Sequence, residues 1–314
     1  MTAPSIPHRS RWTSAAAHGG RALWPLLALG LLLAMNIAWT PGFAEVSWRD
    51  GRLYGAMVDI ARNGSIVMLL SIGMTLVIAS AGIDLSVGSV MALAGAVTAL
   101  LLTSRGWSVP WAVACGLAAG AAIGVWNGVL VSFLGLQAII ATLVMLVAGR
   151  GLAQTLTHDQ KVRFEIPAFE QFGSGAMRGI PVPVVIAAGA ALAVMALLRA
   201  TVLGLYIEAV GTNPRAARLC GLPVHRVRLA VYTISGLCAA IAGLIATADI
   251  KEADVANCGL YLELDAILAV VIGGTSLGGG KPYLPGALVG ALIMTTVTPT
   301  VPMGGLAAGP TVVV

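Results

Sequence analysis

The stretch SIVMLLSIGMTLVIASAGIDLSVGSVMALAGAVTALLLTS, residues 65–104, decides the fold, because it holds one charge, Asp84, between two long apolar runs. An ionised side chain at the bilayer centre costs roughly 2.5–3.5 kcal/mol on insertion scales, so Asp84 predicts a functional site. Gly82 predicts the end of one helix, and Asp84 or Ser86 predicts the cap of the next. Helix ends that meet within the membrane are typical of binding or gating sites in transporters.

Composition supports the same class of protein. The chain has 314 residues, of which 58% are hydrophobic and 10% charged, whereas soluble domains average about 45–50% and about 25%. The 39 glycines favour close helix packing in lipid. The net charge of +5 comes from basic residues between apolar segments. This placement indicates membrane orientation, so no nucleic acid partner is expected.

Nine apolar segments predict an all-α, polytopic transmembrane bundle. About 20 apolar residues are needed to cross about 30 Å of hydrocarbon. The segments are 22–40, 65–81, 86–104, 109–133, 137–156, 181–199, 229–248, 264–278 and 283–301. They define a membrane domain over 22–301, preceded by a tail, 1–21.

Two signals predict the same orientation of the chain in the membrane: the charge of the loops, and the alternation of sides from one span to the next. Residues 200–228 carry four arginines against Glu208 alone, whereas residues 249–263 carry four acidic residues against Lys251. Lys and Arg concentrate on the cytoplasmic side. Both signals place the N-terminal tail and 200–228 in the cytoplasm, with the chain crossing the membrane several times.

The basic segment EAVGTNPRAARLCGLPVHRVRL, residues 208–229, predicts a turn at Asn213-Pro214 and then a short helix that ends near Gly221. Two interpretations remain open from the residues alone. The helix docks on another protein, or the segment is a plain basic loop that sets orientation.

Catalytic and nucleotide chemistry have little support. The stretch GGTSLGGGK, residues 273–281, has Thr275 where a phosphate-binding loop needs glycine, and Pro282 follows its lysine. The four histidines lie far apart, and the four cysteines lack metal-ligand spacing. We therefore expect neither an enzyme nor a metal or cofactor site in this chain.

Polar residues within the apolar segments suggest a translocation path. They are Asn127, Gln137, Thr142 and Arg150, and Arg150 is expected to pair with a carboxylate. Interhelical hydrogen bonding is the alternative for each. The pair Leu264-Asp265 repeats Ile83-Asp84, which adds Asp265 to the candidates.

Four ordered motifs resemble the permease subunits of bacterial ABC-type monosaccharide importers, the ribose/xylose permease family. They are GMTLVIASAGIDLSVGSVMALAGAV (73–97), QAIIATLVMLVAGRG (137–151), EAVGTNPRAARLCGLPV (208–224) with SGLCAAIAGLI (235–245), and LELDAILAVVIGGTSLGGG (262–280). Within the family, residues 50–63 and 248–274 are most similar to galactofuranose permeases.

The resemblance implies a type II-like permease of about ten spans, a multi-pass protein of the bacterial inner membrane, and a set of partners. These are a second permease copy or paralogue, cytoplasmic ABC ATPases that bind the ATP, a periplasmic sugar-binding protein, and membrane lipid. It also implies that the loop at about 200–228 couples to the ATPase, through Glu208, Gly211, Asn213, Ala216, Ala217 and Gly221. The gating or translocation residues are then Asp84, Ser86, Asn127, Gln137, Thr142, Arg150 and Asp265, with Asp84 structural or gating rather than a sugar ligand.

The chain departs from this family at its end. From Thr296 it reads TVTPTVPMGGLAAGPTVVV, where the relatives continue into a final apolar helix. We therefore expect a truncated or frameshifted tail, 302–314, and a lost tenth span. Two rival functions stay open: an ion-coupled secondary transporter that uses Asp84, and a permease of the same superfamily for ribose, xylose, nucleosides or an autoinducer.

Overall fold

A computed structural model describes the backbone of residues 11–40, 42–49 and 51–303. Twelve helices are present in this part of the chain: α1 (Arg11–Trp39), α2 (Ala56–Ala79), α3 (Val87–Ser104), α4 (Val109–Ser132), α5 (Ala138–Thr157), α6 (Pro167–Ser174), α7 (Val182–Ala200), α8 (Leu203–Thr212), α9 (Pro214–Leu219), α10 (Val224–Ile250), α11 (Leu262–Ile272) and α12 (Leu284–Met303). Six short strands accompany them: β1 (Ser47–Arg49), β2 (Arg52–Tyr54), β3 (Val162–Arg163), β4 (Ala176–Met177), β5 (Ile180–Pro181) and β6 (Glu252–Ala253).

The all-α membrane fold is confirmed. Within the described residues, six helices are long and apolar enough to cross a membrane, namely α2, α3, α4, α5, α7 and α10. Two shorter apolar stretches, Leu23–Trp39 and Leu284–Val297, lie in α1 and α12. The predicted segments 22–40 and 283–301 therefore also coincide with helices.

The predicted eighth span, 264–278, is wrong as a membrane-crossing helix. Helix α11 has 11 residues, or about 16 Å at 1.5 Å per residue, which is half of the hydrocarbon thickness. Its helix ends before the glycine-rich turn that begins at Gly273. An irregular segment, 254–261, precedes it and packs Gly259 against Gly88 at the start of α3. Irregular backbone at membrane depth is tolerated where protein surrounds it.

Three helices form the centre of the bundle. In the apolar windows of α2, α3 and α10, 67%, 72% and 61% of residues are buried. The corresponding shares are 33% for α4 and 22% for both α5 and α7. The outer helices therefore expose apolar faces, as expected where lipid or another membrane subunit covers them.

Small β-ladders and α6 form a cap at one end of the bundle, which the sequence did not predict. We define the cap as residues 47–49, 51–54, 162–181 and 249–253. Its ladders are antiparallel: β1 pairs with β2, β3 with β6, and β4 with β5. Helices α2 and α10 run from this cap end to the opposite end, which holds α8 and α9 and is called the α9 end.

The two chain ends lie partly outside the described residues. Residues 1–10 of the predicted tail 1–21 are not described, and α1 begins at Arg11. Residues 304–314 of the tail 302–314 are likewise outside the description. The expected truncation of the chain stays a prediction.

Candidate functional site

The connection between α2 and α3, residues 80–86, is the predicted helix break. Ala79 ends α2, and its carbonyl oxygen accepts a hydrogen bond of 2.9 Å from the backbone N–H of Gly280. The left-handed residue after α2 is Ala81, at φ 60°, and not Gly82 as predicted. Gly82 is instead required by packing, because a Cβ there would lie 2.6 Å from the hydroxyl oxygen of Tyr232.

The predicted cap of α3 also differs in detail. Ser86 occupies the N-cap position but makes no side-chain hydrogen bond to the helix backbone. Its own N–H, 3.1 Å from Asp84 Oδ1, donates to that carboxylate. Asp84 therefore stabilises the turn before α3 rather than the first turn of the helix.

The Asp84 carboxylate joins the break to α10. Asp84 is 1% exposed. Its Oδ1 also accepts a hydrogen bond of 2.6 Å from Ser86 Oγ, and its Oδ2 accepts one of 2.9 Å from Ser235 Oγ. The carboxylate thus has three donors from two elements and no ion pair with any described residue.

Asn127 extends this cluster to α4. Its Nδ2 donates to Ser86 Oγ at 2.8 Å, while its Oδ1 is buried without a partner among the described residues. The sequence-predicted residues Asp84, Ser86 and Asn127 therefore meet around one turn. We call them, together with Ser235, the Asp84 cluster.

Helix α5 borders the Asp84 cluster without joining it. Thr142 Oγ1 bonds chiefly to Ala138 O at 2.9 Å and lies 3.3 Å from Ile83 O in the break. Gln137 is exposed at the N-cap of α5 and forms no cap hydrogen bond. It lines a separate cavity of about 230 Å³ with Gly82 and Tyr232.

Arg150 lies away from the Asp84 cluster, against the irregular segment 254–261. The expected ion pair with a carboxylate is wrong. Its guanidinium donates to three carbonyl oxygens of the irregular segment 254–261, at 2.8 Å to Val255, 3.1 Å to Ala256 and 3.2 Å to Cys258. It forms no ion pair with any described carboxylate. Arg150 therefore fixes irregular backbone, which lacks helical partners for its carbonyl groups.

Asp265 and Asp84 have different surroundings, although each follows a similar residue in the repeated sequence pair. It stands in the first turn of α11 and is half-buried. It lines a cavity of about 540 Å³ near the cap end together with Asp59, Asn63 and Thr295. The repeat in sequence therefore does not correspond to two equivalent sites.

Sequence reasoning missed three polar residues in or near these sites. Ser235 and Tyr232 on α10 are 1% and 0% exposed, and the Tyr232 hydroxyl has no partner among the described residues. Glu263 on α11 is 8% exposed. The signal was present, since a polar side chain within an apolar segment is a functional candidate. Ser235 and its acceptor Asp84 are 151 residues apart in the chain, so spacing gave no indication of their contact.

Helices α8 and α9 give the basic segment 200–228 a defined shape. Asn213 caps α9, because its Oδ1 accepts from the backbone N–H groups of Arg215 at 3.1 Å and Ala216 at 3.0 Å. Gly221 follows the helix at φ 79°. Of the small residues in α9, Ala217 packs inside and Ala216 faces outward. The predicted short helix is confirmed.

The outward side of this segment is basic and partly apolar. Arg215 and Arg218 are exposed and form no ion pair with described residues. Leu219 is 90% exposed. Glu208 lies half-buried in α8. The guanidinium groups of Arg215 and Arg218 therefore face outward, where a partner could reach them.

Gly211 places α8 directly against the end of α2. A Cβ at Gly211 would overlap the carbonyl oxygen of Ala79 and would lie 2.6 Å from the backbone nitrogen of Gly280. Three backbone segments meet there only because position 211 lacks a side chain. At this contact α8 lies beside Ala79, which precedes Asp84 by five residues in the chain.

Comparisons of the sequence with known proteins identify the class of protein to which the chain belongs. Residues 56–310 match a family described as branched-chain amino acid transport system / permease component. A galactofuranose transporter permease protein of Escherichia coli (strain K12) is 49% identical over 87% of this chain and 82% of its own length. A fructose import permease protein of Bifidobacterium longum (strain NCC 2705) is 44% identical over 88% of this chain and 80% of its own length. A ribose import permease protein of Escherichia coli (strain K12) is 39% identical over 94% of this chain and 89% of its own length. No solved structure matches.

Proposed function

We propose that this chain, which belongs to the family of branched-chain amino acid transport system permease components, is the permease subunit of an ATP-driven monosaccharide importer. The family membership and the six apolar helices make it a multi-pass membrane transport subunit. The ATPase and a periplasmic sugar-binding protein are separate partners in this proposal. A second permease copy or a paralogue completes the pore.

The observation that carries the proposal is the contact of Gly211 with Ala79 and Gly280. It lies between an exposed basic helix and a buried helix break. A push on α9 is transmitted to the end of α2 through backbone rather than through flexible side chains. The Asp84 cluster is next in the chain, so a movement of α2 changes the hydrogen bonds that hold α3, α4 and α10 together.

The proposed coupling surface is the loop at about 200–228. In this role Glu208, Ala216 and Gly221 lie on or beside the surface, Asn213 caps its helix, and Ala217 and Gly211 hold it to the bundle. Exposed Arg215 and Arg218 offer charge to an acidic groove on the ATPase. This orientation puts the α9 end and the N-terminus in the cytoplasm and the cap in the periplasm.

The proposed gate is the Asp84 cluster with Thr142 beside it. Gln137, Arg150 and Asp265 line or support cavities at other depths. Sugar would pass along the exposed face that α5 and α11 share, which a second copy would cover. Large apolar side chains of α5, such as Val144 and Val147, are 60% and 70% exposed on this face.

We assign a galactofuranose-like sugar as the substrate. Identity is highest, at 49%, with the galactofuranose permease among the relatives described above. Fructose and ribose permeases at 44% and 39% define the competing sugars. All three are transporters of monosaccharides by name, which keeps the chemical class the same.

The ion-coupled alternative needs an Asp84 carboxylate that is open to a proton or a cation. Its two oxygens already accept three hydrogen bonds, and the residue is 1% exposed. This arrangement favours a structural or gating role. An ion site would require the cluster to open first.

Reconstituted uptake tests the proposal. The permease, its ATPase and its binding protein are placed in proteoliposomes, and uptake of labelled galactose, fructose and ribose is measured with and without ATP. We expect ATP-dependent uptake that prefers galactose, whose solutions contain the furanose form. Uptake driven by a proton gradient without ATPase, and abolished by Asp84→Asn, would contradict the proposal.

A further inference from the structure

A cavity of about 230 Å³ lies at the α9 end, where the break between α2 and α3 meets the start of α5 and the first turns of α10. One water needs only about 10–15 Å³ of such space, so the cavity has room for a larger polar group. Its polar lining consists of Ser80, Gln137, Arg228 and Tyr232, and no lining residue among those described is acidic. Asp84 belongs to the same break but directs its carboxylate to Ser86 and Ser235.

Arg228 is the charged group of this cavity. It is half-buried on α10 and forms no hydrogen bond or ion pair with any described residue. Arg218 of α9 lies close enough to oppose its charge, so the positive charge at this place is not neutralised by the chain. All N–H groups of the Arg228 guanidinium are therefore available to an acceptor from outside the chain. The planar guanidinium matches the oxygens of a phosphate or a carboxylate group.

The start of α5 adds backbone donors to the cavity. Helix α5 has 20 residues and begins at Ala138, which lines the cavity. Gln137 at the N-cap makes no side-chain hydrogen bond to the helix, so the first N–H groups of α5 have no acceptor among the described residues. The N-terminus of a helix carries a partial positive charge and favours anions. The side-chain amide of Gln137 is also unpartnered in the described part of the chain and is a further donor.

A buried donor in the wall connects the cavity to the break. Tyr232 is 0% exposed, and its hydroxyl has no partner among the described residues. The hydroxyl points to Gly82, which lines the same cavity and where an added Cβ would lie 2.6 Å from it. A buried donor without an acceptor is unfavourable. Because the break covers this hydroxyl, an acceptor in the cavity reaches it only when residues 80–82 shift.

We propose that this cavity binds a phosphate group from the cytoplasmic side, with Arg228, the Gln137 amide and the first N–H groups of α5 as donors. A lining of donors and positive charge without a carboxylate favours an oxyanion over a cation or a neutral sugar. Two sources carry this chemistry: a soluble phosphate and the head group of an anionic phospholipid. A bound phosphate joins α5 and α10 beside the break, which links its occupancy to the gate. Only this link and the side of the membrane rest on the proposed function.

Thermal unfolding of the full chain tests the site without ATPase or transport. The protein is placed in nanodiscs of phosphatidylcholine and titrated with inorganic phosphate, which replaces chloride at constant ionic strength. We expect the unfolding temperature to rise with phosphate and then to saturate. Arg228→Gln removes charge-assisted hydrogen bonds and should raise the half-saturating concentration at least about tenfold. Arg228→Lys keeps the charge without the planar fork and should raise it about threefold.

Arg226→Gln is the matched control, because Arg226 is exposed on the same helix and does not line the cavity; it should change that concentration less than about twofold. Nanodiscs that contain phosphatidylglycerol identify the source. A lipid occupant raises the unfolding temperature of the wild type but not of Arg228→Gln and leaves free phosphate without effect, whereas a soluble occupant gives the same titration in both lipids.

Equal weakening by Arg228→Gln and Arg226→Gln would overturn the inference, because it would indicate general surface charge. A wild type that responds neither to phosphate nor to phosphatidylglycerol would overturn it as well. Sugar uptake has no part in these measurements, so absence of ATP-dependent uptake would overturn the proposed function and leave the phosphate site in place.

Discussion

The two ends of the molecule handle charge in opposite ways. The cap end binds its charges internally: Arg62 pairs with Asp249, and Lys161, Arg163 and Lys251 pair with the acidic residues Glu252, Asp254 and Glu170. At the α9 end, Arg215, Arg218, Arg226 and Arg228 form no ion pair with any described residue.

This difference indicates which end moves and which end recognises a partner. Ion pairs and β-ladders join chain segments about 90 residues apart in the cap, as between Lys161 and Glu252. The cap therefore holds the ends of α5 and α10 together. The α9 end is joined by close backbone packing at Gly211 and leaves its charges open. We interpret the cap as the fixed end and α9 as the driven end.

The largest effect is expected from filling the backbone contact at the α9 end. Gly211→Leu places a side chain where Ala79 and Gly280 already meet. Overpacking typically costs about 1–3 kcal/mol and more where backbone must shift. We expect loss of folded protein in detergent, measured by size-exclusion chromatography. Ala216→Leu, on the exposed side of the same segment, is the control and should fold normally.

The next effect concerns the Asp84 cluster. Asp84→Ala leaves three donors from Ser86 and Ser235 without their acceptor. Each unsatisfied buried donor costs about 1–3 kcal/mol, so thermal stability should fall sharply, measured by a fluorescence-detected unfolding assay. Asp84→Asn keeps one carbonyl oxygen as an acceptor and should lose less. Equal stability of Asp84→Ala and the wild type would show that these hydrogen bonds do not hold the break.

A smaller and local effect is expected at the α9 cap. Asn213→Ala removes both hydrogen bonds to the first turn of α9, and loss of a helix cap costs about 0.5–2 kcal/mol. Because α9 has only six residues, we expect it to fray without global unfolding. Stimulation of the ATPase by the permease should fall several-fold, while Asn213→Asp retains most of it. Unchanged stimulation in Asn213→Ala would separate α9 from coupling.

The smallest effect is expected in the cap. Hydrogen bonds from Arg163 and Lys161 lower the pKa of Glu252 below its ordinary value of 4.5. The stabilisation is therefore present above about pH 4.5 and is lost as the pH falls through the lowered pKa of the folded state. Lys161 and Arg163 are 53% and 81% exposed, which weakens their pairs by solvent screening. Glu252→Gln should lower the unfolding temperature by at most about 3 °C at pH 7, and by less at about pH 3, where the contribution is declining. An equal loss at both pH values would contradict the charge-based account.

The sequence predicted the membrane helices well because twenty-residue apolar runs have few alternatives in lipid. The prediction of a spanning helix was wrong at 264–278, where the apolar residues form a short helix and then an irregular turn. Hydropathy cannot distinguish these two, since both avoid water. The cap ladders were missed because strands of two or three residues carry no periodic signal.

The site was predicted in part for a similar reason. Asp84, Ser86 and Asn127 stood out as polar residues in apolar segments, and they do meet. The partners of Asp84 and Arg150 depend on contacts between distant segments. Ser235 lies 151 residues from Asp84, and Val255 lies 105 residues from Arg150. A carboxylate partner was expected for Arg150 because a buried cation usually pairs with an anion. Backbone carbonyl groups of the irregular segment accept its hydrogen bonds instead.

Native Cys220 provides the most direct test of the α9 end as the cytoplasmic docking end, because it is exposed next to α9 while the other three cysteines are buried or half-buried. A membrane-impermeant maleimide is applied to right-side-out and inside-out vesicles, with Cys220→Ala as the blank and Glu165→Cys in that background as the cap probe. The account predicts labelling of Cys220 only in inside-out vesicles, with protection when the ATPase subunit is bound, and labelling of position 165 only in right-side-out vesicles. Labelling of Cys220 from the periplasmic side, or labelling that the bound ATPase leaves unchanged, would contradict it.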